Sequence, residues 1–229
     1  MSGKLKVGYW SDPLCVWAFV AQSRLDRLLE ERGGCLDIEH RLVPVFGSLP
    51  QRFRTGAWAR QGPEGRAEAT RQVAAEHGRP EVTGRVWVDD TPASSWPVSM
   101  AVKAVSRLER EGRAAPGSTG AYLAGLREAF FVRNLNICRR EAWLEVARAC
   151  GVEVARLEAL VDEGTAMADL WEDYEEKERL RLQGSPTWVF DGGRALLYGN
   201  VSWGVLRATV EELLAGVRPG GTACGQEPT

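Results

Sequence analysis

Ser11-Asp12-Pro13-Leu14-Cys15-Val16-Trp17-Ala18 is the stretch on which the reading of this chain turns. It follows Val7-Gly8-Tyr9-Trp10, an apolar run of the length of a short buried strand. After it, Leu14, Trp17, Ala18, Ala21, Leu25, Leu28 and Leu29 recur every three or four residues, the spacing of one helix face. Asp12 is a good N-cap, and Pro13 then falls at the first helical position, where its missing N–H is not needed. That places Cys15 in the first turn of a helix. Unpaired backbone N–H groups and the positive end of the helix dipole favour a thiolate there, so the expectation is a lowered pKa and a nucleophilic Cys15. The competing reading is a small packed residue, because cysteine is among the most buried residue types.

Outward from this stretch, residues 5–10 read as a strand and 13–32 as a helix ended by Gly33-Gly34. Leu36, Ile38, His40, Leu42 and Val43 make 35–43 a second strand. Strand, helix, strand in this order implies a right-handed crossover and a parallel pair. Pro44 and a turn over 47–50 close the unit. Residues 51–80 read as a loop followed by a helix over 64–77, and Val86-Trp87-Val88 as a short extended piece. Helical spacing then dominates from Trp96 to about Leu182, and the charged run Glu172 to Arg181 reads as a solvated face. Strands return at Thr187–Phe190 and Ala195–Tyr198 around an Asp191-Gly192-Gly193-Arg194 turn, and a last helix spans about 202–215. The order is βαβ, a helical block, then ββα. It predicts an α/β fold with one four-stranded mixed sheet, built from 1–51 and 181–218, with 52–180 as a helical insertion and 219–229 as a flexible tail.

Composition narrows the function classes. The chain has 229 residues, 44% hydrophobic and 26% charged, with a net charge of −2, so there is no basic footprint for nucleic acid. The start Met1-Ser2-Gly3-Lys4-Leu5-Lys6 lacks the apolar core of a secretory leader, and no apolar run has the length of a membrane span; the expectation is a cytoplasmic protein. Five cysteines (15, 35, 138, 150 and 224), no Cys-x-x-Cys and only two histidines argue against a disulfide framework and against a zinc site. No P-loop or nucleophile elbow is present, and the pairs Asp89-Asp90 and Glu175-Glu176 read as solvent-facing.

The arrangement resembles the thioredoxin fold with a helical insertion, as in the DsbA family. Three places carry the likeness. Ser11 to Phe19 is similar to the Asp-x-x-Cys-Pro-Trp-Cys-Tyr motif of the cytoplasmic FrnE-like branch. Gly184-Ser185-Pro186-Thr187 resembles the segment whose proline is cis. Ala129-Phe130-Phe131 through Ala149-Cys150-Gly151 looks like that branch's Ala-Phe-Phe helix and the segment after it. The second motif cysteine is Ala18 here, so exchange within the motif is impossible. Cys-x-x-Ala is partway to the kappa-class glutathione transferases and hydroxychromene-carboxylate isomerases, whose Gly-Ser-Asp element matches Gly199-Asn200-Val201 without the aspartate.

The resemblance implies Cys15 as the catalytic residue. It implies substrate or glutathione contacts at Asp12, Pro13, Trp17, Ser185, Pro186, Thr187, Gly199 and Asn200, no metal, and no tightly bound cofactor. The backbone of Ser185, beside a cis Pro186, would pair with an extended peptide or with glutathione. The leading expectation is a single-cysteine oxidoreductase in which Cys15 exchanges with a disulfide-containing protein or peptide and glutathione serves as co-substrate. The alternatives are a glutathione-dependent transferase or isomerase, with Trp10, Trp17, Trp188 and Trp203 lining an apolar pocket for a small aromatic molecule, and a redox-inactive binding module. The reading admits a homodimer and no nucleic-acid or membrane partner.

Overall fold

A computed structural model describes residues 4–216; the expected tail and Cys224 lie outside the described residues. Leu5–Ser11 (β1) pairs in parallel with Leu36–Leu42 (β2) and antiparallel with Thr187–Phe190 (β3). Thr187–Phe190 turns back into Ala195–Tyr198 (β4), giving the sheet order β2-β1-β3-β4. Side chains alternate across this sheet as the pleat requires. Val7, Tyr9, Trp188 and Phe190 share one face, where they pack with Leu25 and Leu28 and with Leu206, Val210 and Leu213. Trp10 and Val189 point to the other face and meet Leu182.

Val16–Arg32 (α1) connects β1 to β2. Between β2 and β3 lie Leu49–Arg52 (α2), Gly56–Glu76 (α3), Val86–Asp89 (α4), Trp96–Arg110 (α5), Ser118–Phe131 (α6), Arg140–Ala149 (α7), Val154–Asp162 (α8) and Thr165–Arg179 (α9); Trp203–Leu214 (α10) follows β4. This is the thioredoxin fold with a helical insertion. At the centre of the insertion, α5 packs against α6, α7, α8 and α9. The first half of α1 points the other way from its second half. Leu14, Val16, Phe19 and Val20 belong to the core that holds Trp87, Phe130 and Phe131 of the insertion.

Several local expectations are corrected. The first helix starts at Val16 rather than 13, with Cys15 and not Asp12 at the N-cap. The reason is that Asp12 caps a tight turn of its own. Its Oδ1 accepts from the Leu14 N–H at 2.8 Å, while the Cys15 N–H donates to the Asp12 carbonyl at 3.1 Å. The helix expected over 64–77 begins at Gly56 and kinks at Gly62, which takes a positive φ ahead of Pro63. Val86-Trp87-Val88 is a helical turn. Asn134 Oδ1 accepts from the Val86 N–H at 3.3 Å, and the Trp87 N–H donates to the Gly84 carbonyl at 3.0 Å. Gly84 is required there: its φ is +71°, and a Cβ would stand 2.4 Å from the Ala67 carbonyl oxygen. In the charged run of α9, Asp173 is fully buried instead of solvated. It accepts from Lys103 Nζ at 2.9 Å, from Arg41 Nη1 at 2.8 Å and from the Leu42 N–H at 2.9 Å.

Among the described residues no helix is long and apolar enough to cross a membrane, and no cluster of His, Cys, Asp and Glu is placed to hold a metal ion.

Candidate active site

The strand β1 ends at Ser11, and the turn Asp12-Pro13-Leu14 delivers Cys15 to the N-cap of α1 with an extended backbone (φ −86°, ψ 113°). Asp12 fixes this turn. Beyond Leu14, its Oδ2 accepts from the Phe46 N–H at 3.1 Å and from Ser95 Oγ at 2.8 Å, and its own N–H donates to Ser185 Oγ at 3.0 Å. One buried carboxylate therefore ties the Cys15 turn to the loop after β2 and to the start of α5. Burial pushes the Asp12 carboxyl up to about 6, while the three hydrogen bonds and the charge of Arg127 pull it back toward its usual range.

Cys15 Sγ donates to the Ser185 carbonyl oxygen at 3.3 Å, and the Ser185–Pro186 peptide bond is cis. The thiol is only 6% exposed. Burial pushes its pKa up; the Ser185 side chain and the N–H groups of Ala18 and Trp17 work against the rise, and Asp12 adds to it. The expected lowering is thus corrected. The helix N-terminus does aim donors at the sulfur, but desolvation of a buried thiolate outweighs them.

Around this centre the structure gathers part of the expected site. Pro13 is buried in the turn, Trp17 is 41% exposed and stands edge-on to His77 at 5.5 Å, and Thr187 donates to the Gly184 carbonyl at 2.7 Å. The Gly199 N–H donates to the Pro186 carbonyl at 2.8 Å, which places the loop after β4 beside the cis peptide. Asn200 turns toward α1, where its Oδ1 accepts from Arg24 Nη1 at 2.6 Å. The four tryptophans do not converge. Trp10 and Trp188 lie on opposite sheet faces, Trp203 packs at the edge of the α10 side under Arg27, and Trp17 faces His77. A cleft of about 760 Å³ opens between α1, β2 and α6, lined by Gln22, Leu25, His40 and Gly120 among others, but Cys15 does not line it.

Of the other thiols, Cys35 is exposed beyond the far end of α1, and burial raises the pKa of both Cys138 and Cys150. Sequence reasoning missed Arg127. It is 1% exposed on α6, its Nη2 donates to Ser11 Oγ at 2.6 Å and its Nη1 to Gln22 Oε1 at 3.0 Å. The available signal was its spacing: four residues after Leu123 and one after Leu126, it falls on the stripe that those residues define as buried.

A strand leading into a helix-capping cysteine, faced by a cis proline at the start of an antiparallel strand, defines a thioredoxin-type site. The profile of a family described as Thioredoxin matches residues 9–194, and the chain belongs to that family. Among curated proteins it is similar to the ClpXP adapter protein SpxH of Halalkalibacterium halodurans, 28% identical over 196 residues. The match covers 81% of this chain and 58% of the relative, so the chain spans little more than half the length of that protein. Among solved structures it is similar to a candidate protein disulfide isomerase of Nitrosomonas europaea, at 17% identity and a TM-score of 0.76, covering 93% of this chain and 98% of that one. It is also similar to the cytosolic disulfide reductase DsbM of Pseudomonas aeruginosa, solved with GSH, at 23% identity and a TM-score of 0.63, covering 93% and 97%. A 2-hydroxychromene-2-carboxylate isomerase matches at 17% identity and a TM-score of 0.63, covering 92% and 97%. At these identities the solved structures establish the fold, with both disulfide-handling and isomerase proteins among its neighbours.

Proposed function

We propose that this protein is a single-cysteine thiol–disulfide oxidoreductase that acts on mixed disulfides with glutathione. The observation that carries the reading is Cys15 Sγ at the N-cap of α1, 3.3 Å from the backbone of the residue before the cis proline. In the first step Cys15 loses its proton and the thiolate attacks the glutathione sulfur of a substrate R–S–S–G. A Cys15–S–S–G bond forms, the S–S bond of the substrate breaks, and R–S⁻ leaves and takes up a proton. Ala18 supplies no second sulfur, so a glutathione thiolate from outside attacks the adduct. That forms oxidised glutathione and returns Cys15 as thiolate. The balance is R–S–S–G plus GSH giving R–SH plus GSSG, with no other oxidant or reductant. The raised thiol pKa means that the resting sulfur is mostly protonated at neutral pH. A higher-pKa thiolate is in turn the stronger nucleophile once formed, which offsets part of its scarcity.

The test is turnover of a glutathionylated peptide with reduced glutathione, followed by peptide mass spectrometry. Cys15→Ser is expected to abolish turnover and the one-glutathione adduct at residue 15. Turnover unchanged in this variant overturns the reading.

A second reading is a binding module without exchange chemistry. It is supported by the buried, neutral Cys15, by Ala18, and by the likeness to an adapter protein. It expects Cys15→Ser to retain partner binding and the wild type to show no turnover.

A further inference from the structure

Two guanidinium groups of the helical insertion, that of the buried Arg127 and that of the partly buried Arg66, have no carboxylate in contact. Arg127 of α6 is clamped between Ser11, the last residue of β1, and Gln22, two turns along α1, and its Nε has no partner. It thus spans the two elements that carry Cys15, and its charge acts on the cysteine sulfur. Arg66 of α3 stands 4.5 Å from the ring centre of Trp58, 5.1 Å from that of Trp87 and 5.8 Å from that of Phe46. Its Nε also lacks a partner, and it too feels the charge of Cys15. Among the described residues neither arginine forms an ion pair, whereas Lys103, the buried lysine of α5, has the carboxylate of Asp173. A buried cation without an anion is costly to keep, so its placement calls for an anion that forms close by.

We propose that Arg127 and Arg66 are positioning residues that hold positive potential at Cys15, so that the insertion, in place of water, stabilises the thiolate formed during exchange. The inference rests on the assignment of Cys15 as the reacting sulfur. The groups whose charge interacts with that of Cys15 are Asp12 from the turn, Tyr9 from β1, Arg66 from α3 and Arg127 from α6. Asp12, when ionised, opposes the thiolate, and Tyr9 stays neutral because burial pushes its hydroxyl up to about 12. The two arginines are therefore the cations of the set. Attraction between a guanidinium and a thiolate is mutual: the charge of Cys15 favours the protonated arginines, and they favour the thiolate by the same amount.

The experiment measures the rate of alkylation of Cys15 by iodoacetamide as a function of pH, with the modified residue identified by mass spectrometry. It is done on the full chain and on Arg127→Met, Arg127→Lys and Arg66→Met, each checked for fold by circular dichroism. A neutral reagent keeps the probe's own charge out of the comparison. The midpoint is expected to rise in Arg127→Met, making the thiolate scarcer at any pH below the midpoint. Arg127→Lys is expected to restore most of the shift, and Arg66→Met to move the midpoint in the same direction. A folded Arg127→Met with an unmoved midpoint overturns the proposal. If Arg127→Met does not fold, Arg66→Met decides: an upward shift supports the proposal and an unmoved midpoint overturns it. Alkylation reads the thiolate whether or not turnover occurs. Loss of the exchange reading, seen with Cys15→Ser, is therefore distinguishable from loss of this one.

Discussion

At the scale of single residues the site is governed by what burial does to charge. The buried Asp12 and the partly buried His40 titrate in the same window with opposite signs. Burial lifts Asp12 to about 6, from an ordinary value near 4, so the folded chain binds this proton more tightly than the unfolded chain. Its contribution to stability is complete below the unfolded value and is lost as pH rises through about 6. Burial, with the charge of Arg127, drops His40 to about 4, so the folded chain holds its proton less tightly; this contribution is present at neutral pH and lost as pH falls. The two partly cancel, so a plain stability–pH curve hides both. Asp12→Asn isolates the carboxyl. Its stability deficit against wild type, read from urea midpoints, is expected to be larger at pH 4.5 than at pH 7.5 by about 2 kcal/mol, most of the linkage value of a two-unit shift. A deficit independent of pH would mean that Asp12 keeps an ordinary pKa in the fold. The Asp12 partners also mark where sequence reading stops at this scale. Its bond to Leu14 is local and typical of an aspartate at a turn, but Phe46 and Ser95 come from 34 and 83 residues away, and no local pattern announces them.

At the scale of elements, Asp173 joins three pieces that the chain brings together late: α9, α5 and the end of β2. Its side chain is fully buried, Lys103 is 5% exposed and Arg41 27%. Removing the carboxylate leaves the Lys103 ammonium buried without a partner, while Arg41 can turn to solvent and to Glu39. Asp173→Leu is therefore expected to lose about 3–5 kcal/mol of unfolding free energy, and Lys103→Met in the same chain to recover much of it, because an apolar pair needs no desolvated charge. Equal losses in the single and double variants would show that the Leu42 N–H, which both leave unpaired, is the larger loss. This hub sits inside a run whose alternating charges read as a solvated face; one buried position among ten does not disturb that pattern. Strands, by contrast, were legible, from alternation in β2 and from short apolar runs in β1 and in β3, which is buried at all four positions. Val86-Trp87-Val88 misled because β-branched and aromatic residues signal a strand, whereas Gly84 and the Asn134 side chain wind this piece into a helical turn. The order of elements followed from the pattern of periods. The kink at Gly62 and the start of α3 at Gly56 did not, because small and polar residues there leave no apolar stripe to read.

At the scale of the whole molecule, sequence order suggests two units, and the core of the insertion reaches onto the first helix of the other. The core of the insertion includes Leu14, Cys15, Val16, Ala18, Phe19 and Val20, the segment that presents the candidate nucleophile. Phe19 stacks on Phe131 of α6 with centroids 4.8 Å apart, and Arg79 lies 4.1 Å above its ring. A helix whose first half is covered by the insertion and whose second half is covered by the sheet couples both parts through its own backbone. A chain of this length is large enough for separate transitions, so the coupling can be tested. Urea unfolding followed by far-ultraviolet circular dichroism and by tryptophan fluorescence is expected to give coincident curves. Tryptophans lie on both sides, Trp87 and Trp143 in the insertion and Trp10 and Trp188 in the sheet, so fluorescence reports both. Phe19→Ala removes about 3–5 kcal/mol of packing at the shared boundary, and both curves are expected to move together to lower urea. Two resolved transitions, with only the insertion's moving in Phe19→Ala, would show that the sheet holds α1 without help. The insertion would then be a separable cover over Cys15 and no longer part of the frame that sets its environment.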